Sequence, residues 1–377
     1  MHGPSPSTRY PGGVIEAQDM RALRAELVSA GVFRHHEAAS WGKLFLLLAG
    51  LALCLVGIAT WGWWAALGLV PVAAVLTTTA AMLGHEGSHR SFSASPLRNQ
   101  ILNYVTFPLL AGLGALYWRH KHDGLHHGHP NVVGDDPDVD LWPMVTTREA
   151  HEASPALLRW WQRRFQGLAF WPLTTMMPTV MRIPSVTFLA RYPRRHGVTA
   201  GWIADVACLV AHYALWLVVP SLVWGVLPAL ALYASLWGLV GVLLALIFAP
   251  AHIGLPVLRD QHRDWLHQLE TTRNLQTPPW LSWFFIGLDY QIEHHLFPRI
   301  PHQEMARASA IVSAWAARVG APYRRIAYGA ALVDVTRFID GAWNVGAAER
   351  DAVRAAAANF AGDACAVAGA AAPAAAI

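Results

Sequence analysis

An all-α integral membrane protein is the fold class this sequence predicts: four transmembrane helices in two hairpins, with a cytosolic helical cap holding a histidine-ligated di-metal site. Three observations lead there. The 377 residues are 54% hydrophobic and 14% charged, against about 25% charged in soluble domains, so much of the chain lacks a water-facing composition. Two runs, Leu44 to Gly84 and Val206 to Leu258, contain no Asp, Glu, Lys or Arg, and each is about twice the ~20 residues that cross a bilayer. Finally, eight histidines fall into four tight groups where apolar segments meet polar ones.

The elements follow in chain order. Residues 1–43 are polar and mixed in charge; they read as a cytosolic N-terminal segment with no cleavable signal peptide, too short for a fused electron-transfer domain. Residues 44–330 form the membrane body. Its first uncharged run breaks at Trp61-Gly62-Trp63-Trp64 and its second between Pro220 and Pro228, giving spans near 44–61, 65–84, 204–222 and 228–249. Tryptophans at the breaks suit an interfacial aromatic belt. Pro96 to Trp118 is apolar too, but a full crossing there would separate the first two histidine groups, so a re-entrant or interfacial segment is expected. Arg148 to Arg195 mixes Trp160, Trp161, Phe165, Phe170 and Trp171 with arginines, the pattern of helices lying in the headgroup region. Residues 331–377, alanine-rich after Asn344, read as a mobile tail.

Parity makes this topology self-consistent. Two crossings return the chain to its starting side, and two more return it again, so all four histidine groups share one side. Every Lys and Arg lies outside the two uncharged runs. The positive-inside rule therefore assigns that side, and both termini, to the cytoplasm of a cell (inner) membrane. The three cysteines, Cys54, Cys208 and Cys365, are far apart and form no CxxC, which argues against a disulfide framework or a Cys-ligated metal. A net charge of +4 without a basic run gives no sign of nucleic-acid binding.

The groups are His85 and His89 in GHEGSH; His122, His126 and His127 in HKHDGLHH; His252 in APAHIG; and His294 and His295 in QIEHHLFP. Neutral imidazole is the commonest protein metal ligand. His85 and His89 are four apart at a helix end, share a face, and can grip one metal; His122 and His126 repeat that spacing. His126 and His127 are adjacent, project about 100° apart on a helix, and would reach different ions. His294 and His295 repeat the device, with Gln291 one turn earlier. A single zinc needs only about four ligands, so paired neighbours appearing twice point to a dinuclear site. A lone histidine within a span, such as His212, reads as packed or hydrogen-bonded. His120, His129, His262, His267 and His302 read as outer groups or surface residues.

These motifs resemble the membrane fatty acid desaturase family, with its three histidine boxes. GHEGSH matches the first, HxxxH. HKHDGLHHGHPN matches the second, HxxxHH followed by Asn131, with Asp136-Pro137-Asp138 beyond it. QIEHHLFP matches the third almost letter for letter, and FAPAHIGLP resembles the segment that supplies a further histidine, here His252. The resemblance covers roughly residues 40 to 330. It departs at Ala251, Asp123 and Asp289, where the family commonly has asparagine.

The resemblance implies two Fe2+ ions on His85, His89, His122, His126, His127, His252, His294 and His295, with O2 as co-substrate and electrons from an external donor. The reaction implied is introduction of a C=C bond into an acyl chain. Imidazole suits Fe(II) while leaving open positions for oxygen. Glu86, Asp123 and Glu293 are candidate metal ligands or outer groups that orient imidazoles, as are Gln291 and Asn131, which border the boxes. Implied partners are a fatty acyl substrate carried on lipid, coenzyme A or carrier protein, membrane lipids, and a separate ferredoxin-like or similar donor. Two alternatives stand beside this: a hydroxylase or other oxidase on the same centre, and a zinc intramembrane protease. His85-Glu86-Gly87-Ser88-His89 is a literal HExxH, with Glu86 as its general base. The protease reading leaves the other histidines unexplained.

Overall fold

The computed structural model describes residues 15–259 and 265–345. Four helices are long and apolar enough to cross a membrane: Glu37–Trp61, Trp63–His89, Ala200–Trp224 and Val226–His252. The first and second are joined through Gly62 and the third and fourth through Gly225, both at positive φ. Glycine tolerates that conformation without the Cβ clash other residues meet.

Two of the spans begin before the uncharged runs do. The first takes in Lys43 and the third takes in Asp205, because each charge has partners that permit its burial. Lys43 Nζ donates to the Trp283 carbonyl at 2.5 Å and lies 3.9 Å over the Trp283 ring. Asp205 accepts the N–H groups of Ala115 and Leu116, both at 2.8 Å.

The first, second and fourth spans share a core that includes Leu47, Leu51, Val70, Ala73, Leu236 and Val240. Only 11% of the third span's apolar window is buried, so that helix offers its side chains outward, as a lipid-facing helix does. Pro96–Ala111 and Ala115–His126 are a helix pair bent by 107°, which excludes a straight crossing. At the bend, backbone groups that would otherwise be stranded are satisfied by side chains from elsewhere. Arg182 donates to the Ala111 carbonyl through Nε (3.1 Å) and Nη2 (2.6 Å), and Ser185 Oγ accepts the Gly114 N–H at 2.9 Å. His212 has the packed role expected of it: its Nδ1 meets the Leu109 carbonyl at 3.1 Å and its Nε2 the Tyr233 hydroxyl at 2.9 Å.

The bent segment lies tightly against the second span. A Cβ on Gly87 would sit 2.8 Å from the Asn99 carbonyl oxygen, and one on Gly84 1.8 Å from Thr106 Oγ1. Neither position leaves room for a side chain.

Beyond the fourth span, short helices at Trp265–Thr271, Pro279–Phe285 and Gln291–Leu296 lead to Met305–Val319. Leu269, Ile292, Leu296, Val312 and Trp315 form a second core there. The N-terminal helix Ala17–Ser29 belongs to it through the fully buried Leu23 and Leu27. One small departure from an all-helical chain is a parallel pairing of Asn274–Gln276 with Arg325–Ala327. Outside the pairing, the Leu275 N–H donates to the Asp289 carbonyl at 2.8 Å. The tail boundary placed after residue 330 falls inside the helix Tyr328–Gly341, whose Val335 and Ile339 pack in a cluster with Phe170. The remainder of that tail, 346–377, lies outside the described residues, as does His262.

Candidate metal centre

Helix ends bring the histidines together. The second span stops at Arg90, which is left-handed (φ 59°), immediately after His89. The fourth span ends on His252, and the helix Gln291–Leu296 carries His294 and His295. All eight histidines predicted as ligands meet, in two groups. His85, His89, His122, His127 and His294 form one, and His126, His252 and His295 the other, with the ligating atoms of each group within 4.8 Å of one another. In the larger group Nε2 faces Nε2: His85 to His122 at 2.8 Å, His122 to His127 at 3.2 Å, and His127 to His294 at 3.0 Å.

Adjacent histidines part company as the sequence suggested, His126 from His127 and His294 from His295. The spacing of four fails in the second box. His122 groups with His127, five residues on, and His126 leaves for the smaller group. The cause is local winding: Arg119–His126 is a π-helix, and the His127 N–H donates to the His122 carbonyl at 2.9 Å. An i to i+5 turn places residues five apart on one face.

Outer contacts fix which ring nitrogen is free. The His252 Nδ1 meets the Thr271 carbonyl at 3.2 Å, and the His295 Nδ1 meets Gln268 Oε1 at 3.0 Å. A carbonyl can only accept, so each Nδ1 carries the proton and each Nε2 presents a lone pair. The Gln268 orientation is set by its Nε2 donating to the His127 carbonyl at 3.0 Å. His126 Nδ1 donates to Asp136 Oδ2 at 3.0 Å. The Nε2 atoms of His89, His252 and His295 are buried with no hydrogen-bond partner. Lone pairs held this way suit a cation, and an outer acceptor on the far ring nitrogen is how metal-ligating imidazoles are commonly oriented. Burial first, then the neighbouring imidazoles, hold His127, His294 and His295 well below the usual histidine range. They are neutral donors at physiological pH.

The proposed outer residues have mixed fates. Asp123 accepts from Ser88 Oγ through both oxygens (2.8 and 2.7 Å) and stands 3.7 Å from His89 Nε2. Asn131 ties the end of the fourth span, donating from Nδ2 to the His252 carbonyl at 3.1 Å. Gln291 is buried, and its Nε2 has no partner. Glu293 points to a different network. It accepts from Asn274 Nδ2 and from the Tyr323 hydroxyl, both at 2.7 Å, and burial lifts its carboxyl to about 7. Because Asn274 Oδ1 also accepts the Ile292 N–H at 2.9 Å, this network sets the helix that carries His294 and His295.

Glu86 is engaged by His302: Oε1 accepts its backbone N–H at 2.7 Å, and Oε2 lies 2.9 Å from its Nδ1. The two histidines of the HExxH share a group with three others, more imidazoles than one zinc takes. Two departures from the family pattern are accommodated. Asp289 accepts from Thr277 (2.6 Å) and Ser282 (2.9 Å), and the buried Ala251 offers its carbonyl to the Arg273 N–H at 3.1 Å. Sequence reasoning missed Gln268 and Thr271, which lie outside every box. It noted Asp136 only as part of a motif.

Comparison with known proteins points the same way. The chain is 27% identical over 349 residues to fatty acid desaturase 3 of Bos taurus, covering 90% of this chain and 76% of the relative. It is 26% identical over 347 residues to the Homo sapiens fatty acid desaturase 3, covering 88% and 75%. With an acyl-lipid (8-3)-desaturase of Rebecca salina the identity is 28% over 265 residues, covering 68% and 60%. The fatty acid desaturase family model matches residues 61–327, which hold all eight clustered histidines. This chain therefore belongs to the fatty acid desaturase family.

Proposed function

We propose that the protein is a membrane-bound, O2-dependent fatty acyl desaturase using two Fe2+ ions and electrons from a separate donor. The observation that carries this reading is the division of eight histidines, seven buried and His127 half-buried, into groups of five and three, with both adjacent pairs split between them. One mononuclear site would leave half of these imidazoles without a purpose. His85, His89, His122, His127 and His294 would hold one ion, and His126, His252 and His295 the other. Such a pair, when bound, would let O2 and two electrons from the donor serve as the oxidant that removes two hydrogens from neighbouring methylenes of an acyl chain, with both oxygen atoms leaving as water.

The chain's own residues supply position and environment. Thr271, Gln268 and Asp136 hold three imidazoles in the ligating tautomer. The Glu293, Asn274 and Tyr323 network holds the third box in place. Burial excludes water from the reacting centre.

Two helical hairpins with the bent segment as a re-entrant loop place every histidine group on one face, as parity requires. The distribution of Lys and Arg outside the uncharged runs supports a cytoplasmic position for that face in a cell membrane. The substrate is a fatty acyl group, and the donor is a ferredoxin-like or similar protein. Lipid profiling of a host expressing the chain tests the reading, and a new acyl C=C bond is the expected result. Hydroxylated products alone would favour the hydroxylase alternative. Unchanged acyl chains alongside an altered small metabolite would overturn an acyl substrate.

A further inference from the structure

Residues 165–190 hold a single charged residue, Arg182, and arginines flank the stretch at both ends: Arg163 and Arg164 before it, Arg191, Arg194 and Arg195 after it. The chain there is the helix Ala156–Leu173, a tight turn at Thr174–Met176, and the helix Met177–His196. Its outward face is uncharged and largely apolar. Phe165, Leu168, Met176, Val180, Ile183 and Val186 are exposed, Leu168 by 80%, while Arg182 is turned inward at 7%. A helix lying among headgroups carries charge on its outward face; here that charge stops at the two rims. The turn packs against the middle of the fourth span. A Cβ on Gly241 would collide with the Thr174 carbonyl oxygen and lie 2.7 Å from Pro178 Cδ, and one on Gly238 would lie 3.7 Å from Thr175 Cβ. These glycines bracket Leu239, the midpoint of Val226–His252, and Gly241 stands about 16 Å along the axis from His252.

A second set of contacts fixes the same depth. His212, the midpoint of Ala200–Trp224, meets the Leu109 carbonyl at 3.1 Å, so the bend at Gly112–Gly114 lies level with the middle of the third span. Irregular backbone is tolerated at such a depth only where protein covers it. The helix Met177–His196 supplies the cover: Arg182 donates to the Ala111 carbonyl, Ser185 Oγ accepts the Gly114 N–H, and Leu189 leaves no room for a Cβ on Gly114. Arg182 is held there against two rings, with Cζ 4.1 Å from the Trp237 centroid and 5.3 Å from that of Tyr233. The turn itself needs no water. Thr174 Oγ1 donates to the Trp171 carbonyl at 2.6 Å, and Thr175 Oγ1 to the Pro172 carbonyl at 2.7 Å.

Resting on the reading that the four long helices cross a bilayer, we propose that residues 165–190 are a second re-entrant segment, bathed by the lipid acyl chains of the leaflet on the histidine side. The chain leaves the headgroups at Arg163 and Arg164, reaches the depth of Gly238 and Gly241, and returns at Arg191. Its inward face covers the bend of the segment that carries the second histidine box, and its outward face meets lipid. Basic side chains at both rims suit the anionic headgroup layer. These helices thus lie deeper than the headgroup position that their mixture of aromatic residues and arginines suggested.

The test places nitroxide labels on Met176→Cys, Ile183→Cys, Leu239→Cys or Arg194→Cys, each in the full chain carrying Cys54→Ala, Cys208→Ala and Cys365→Ala, in nanodiscs of phosphatidylcholine and phosphatidylglycerol. Depth is read from collisions with O2, which enters hydrocarbon, against collisions with a nickel chelate, which stays in water. Leu239 marks the interior and Arg194 the rim. The Met176 label should lie within ~5 Å, one helical turn, of the Leu239 depth, and the Ile183 label nearer to Leu239 than to Arg194. A Met176 label further from Leu239 than that, or an Ile183 label nearer to Arg194, would overturn the proposal. A second measurement needs no label and keeps the native cysteines. Ile183→Asp puts a charge into hydrocarbon and should lower the unfolding midpoint in the same nanodiscs by about 5 °C or more beyond Arg194→Asp; equal midpoints would overturn the proposal. The two readings fail separately. A Leu239 label at the rim or in water sinks the crossing of the fourth span and the re-entrant segment with it, whereas a deep Leu239 beside shallow Met176 and Ile183 sinks the re-entrant segment alone.

Discussion

Asp205 should matter to the metal centre although it is not one of the histidine-box residues. Its carboxylate is buried and accepts the Ala115 and Leu116 N–H groups at 2.8 Å each, at the start of the helical segment that ends in His126. Asp205→Ala strands both donors where water cannot replace the lost acceptor. At about 1.5–3 kcal/mol for each hydrogen bond to a charged group, and allowing for incomplete additivity, the loss is about 3–5 kcal/mol. Asp205→Asn keeps one acceptor and sets an NH2 against the other N–H, so about half that loss is expected. Thermal unfolding of the purified protein in detergent measures the effect, and iron content measured in parallel shows whether His122, His126 and His127 still converge. The predicted order is wild type, then Asn, then Ala, with iron falling in step. An Ala variant within about 0.5 kcal/mol of wild type and fully loaded with iron would refute the reasoning.

Three further outcomes follow from the same geometry. Asp136→Ala removes the acceptor of His126 Nδ1 and of the Asn131 and Asp138 N–H groups; metal affinity of the three-histidine group should fall about 10–100-fold, seen as one metal lost before the other during dialysis against a chelator. Gly87→Ala drives a Cβ to 2.8 Å from the Asn99 carbonyl and should cost about 1–3 kcal/mol by overpacking, read as a lowered unfolding midpoint. His126→Ala or His295→Ala should abolish turnover while membrane insertion, followed by fractionation, is unchanged; full activity in either variant would refute their role as ligands.

How far the sequence could be read depended on the range of the interaction. The spans are local, so two uncharged runs and their breaks at Trp61–Trp64 and Pro220–Pro228 located them; the third, read from residue 204, already took in Asp205, whereas the extension of the first to Lys43 hides in a long-range partner, Trp283. The splitting of His126 from His127 is a property of any helix and was legible. The pairing of His122 with His127 depends on π winding, which spacing alone does not announce. Gln268 and Thr271 reach His295 and His252 from a helix outside the boxes, and no periodicity marks such contacts. Asp136 was visible as a motif, but its partner emerged only once the chain had turned back after Asn131, itself left-handed at φ 59°. Glu86, Asp123 and Glu293 look equivalent on paper, each lying next to a box histidine; folding gives them His302, Ser88 and Tyr323 respectively.

The central claim is a dinuclear iron centre built from the groups of five and three histidines. Metal analysis of the full chain purified from iron-replete cells tests it most directly. The account predicts about two irons per chain, falling toward one in His295→Ala. One zinc and no iron would contradict it.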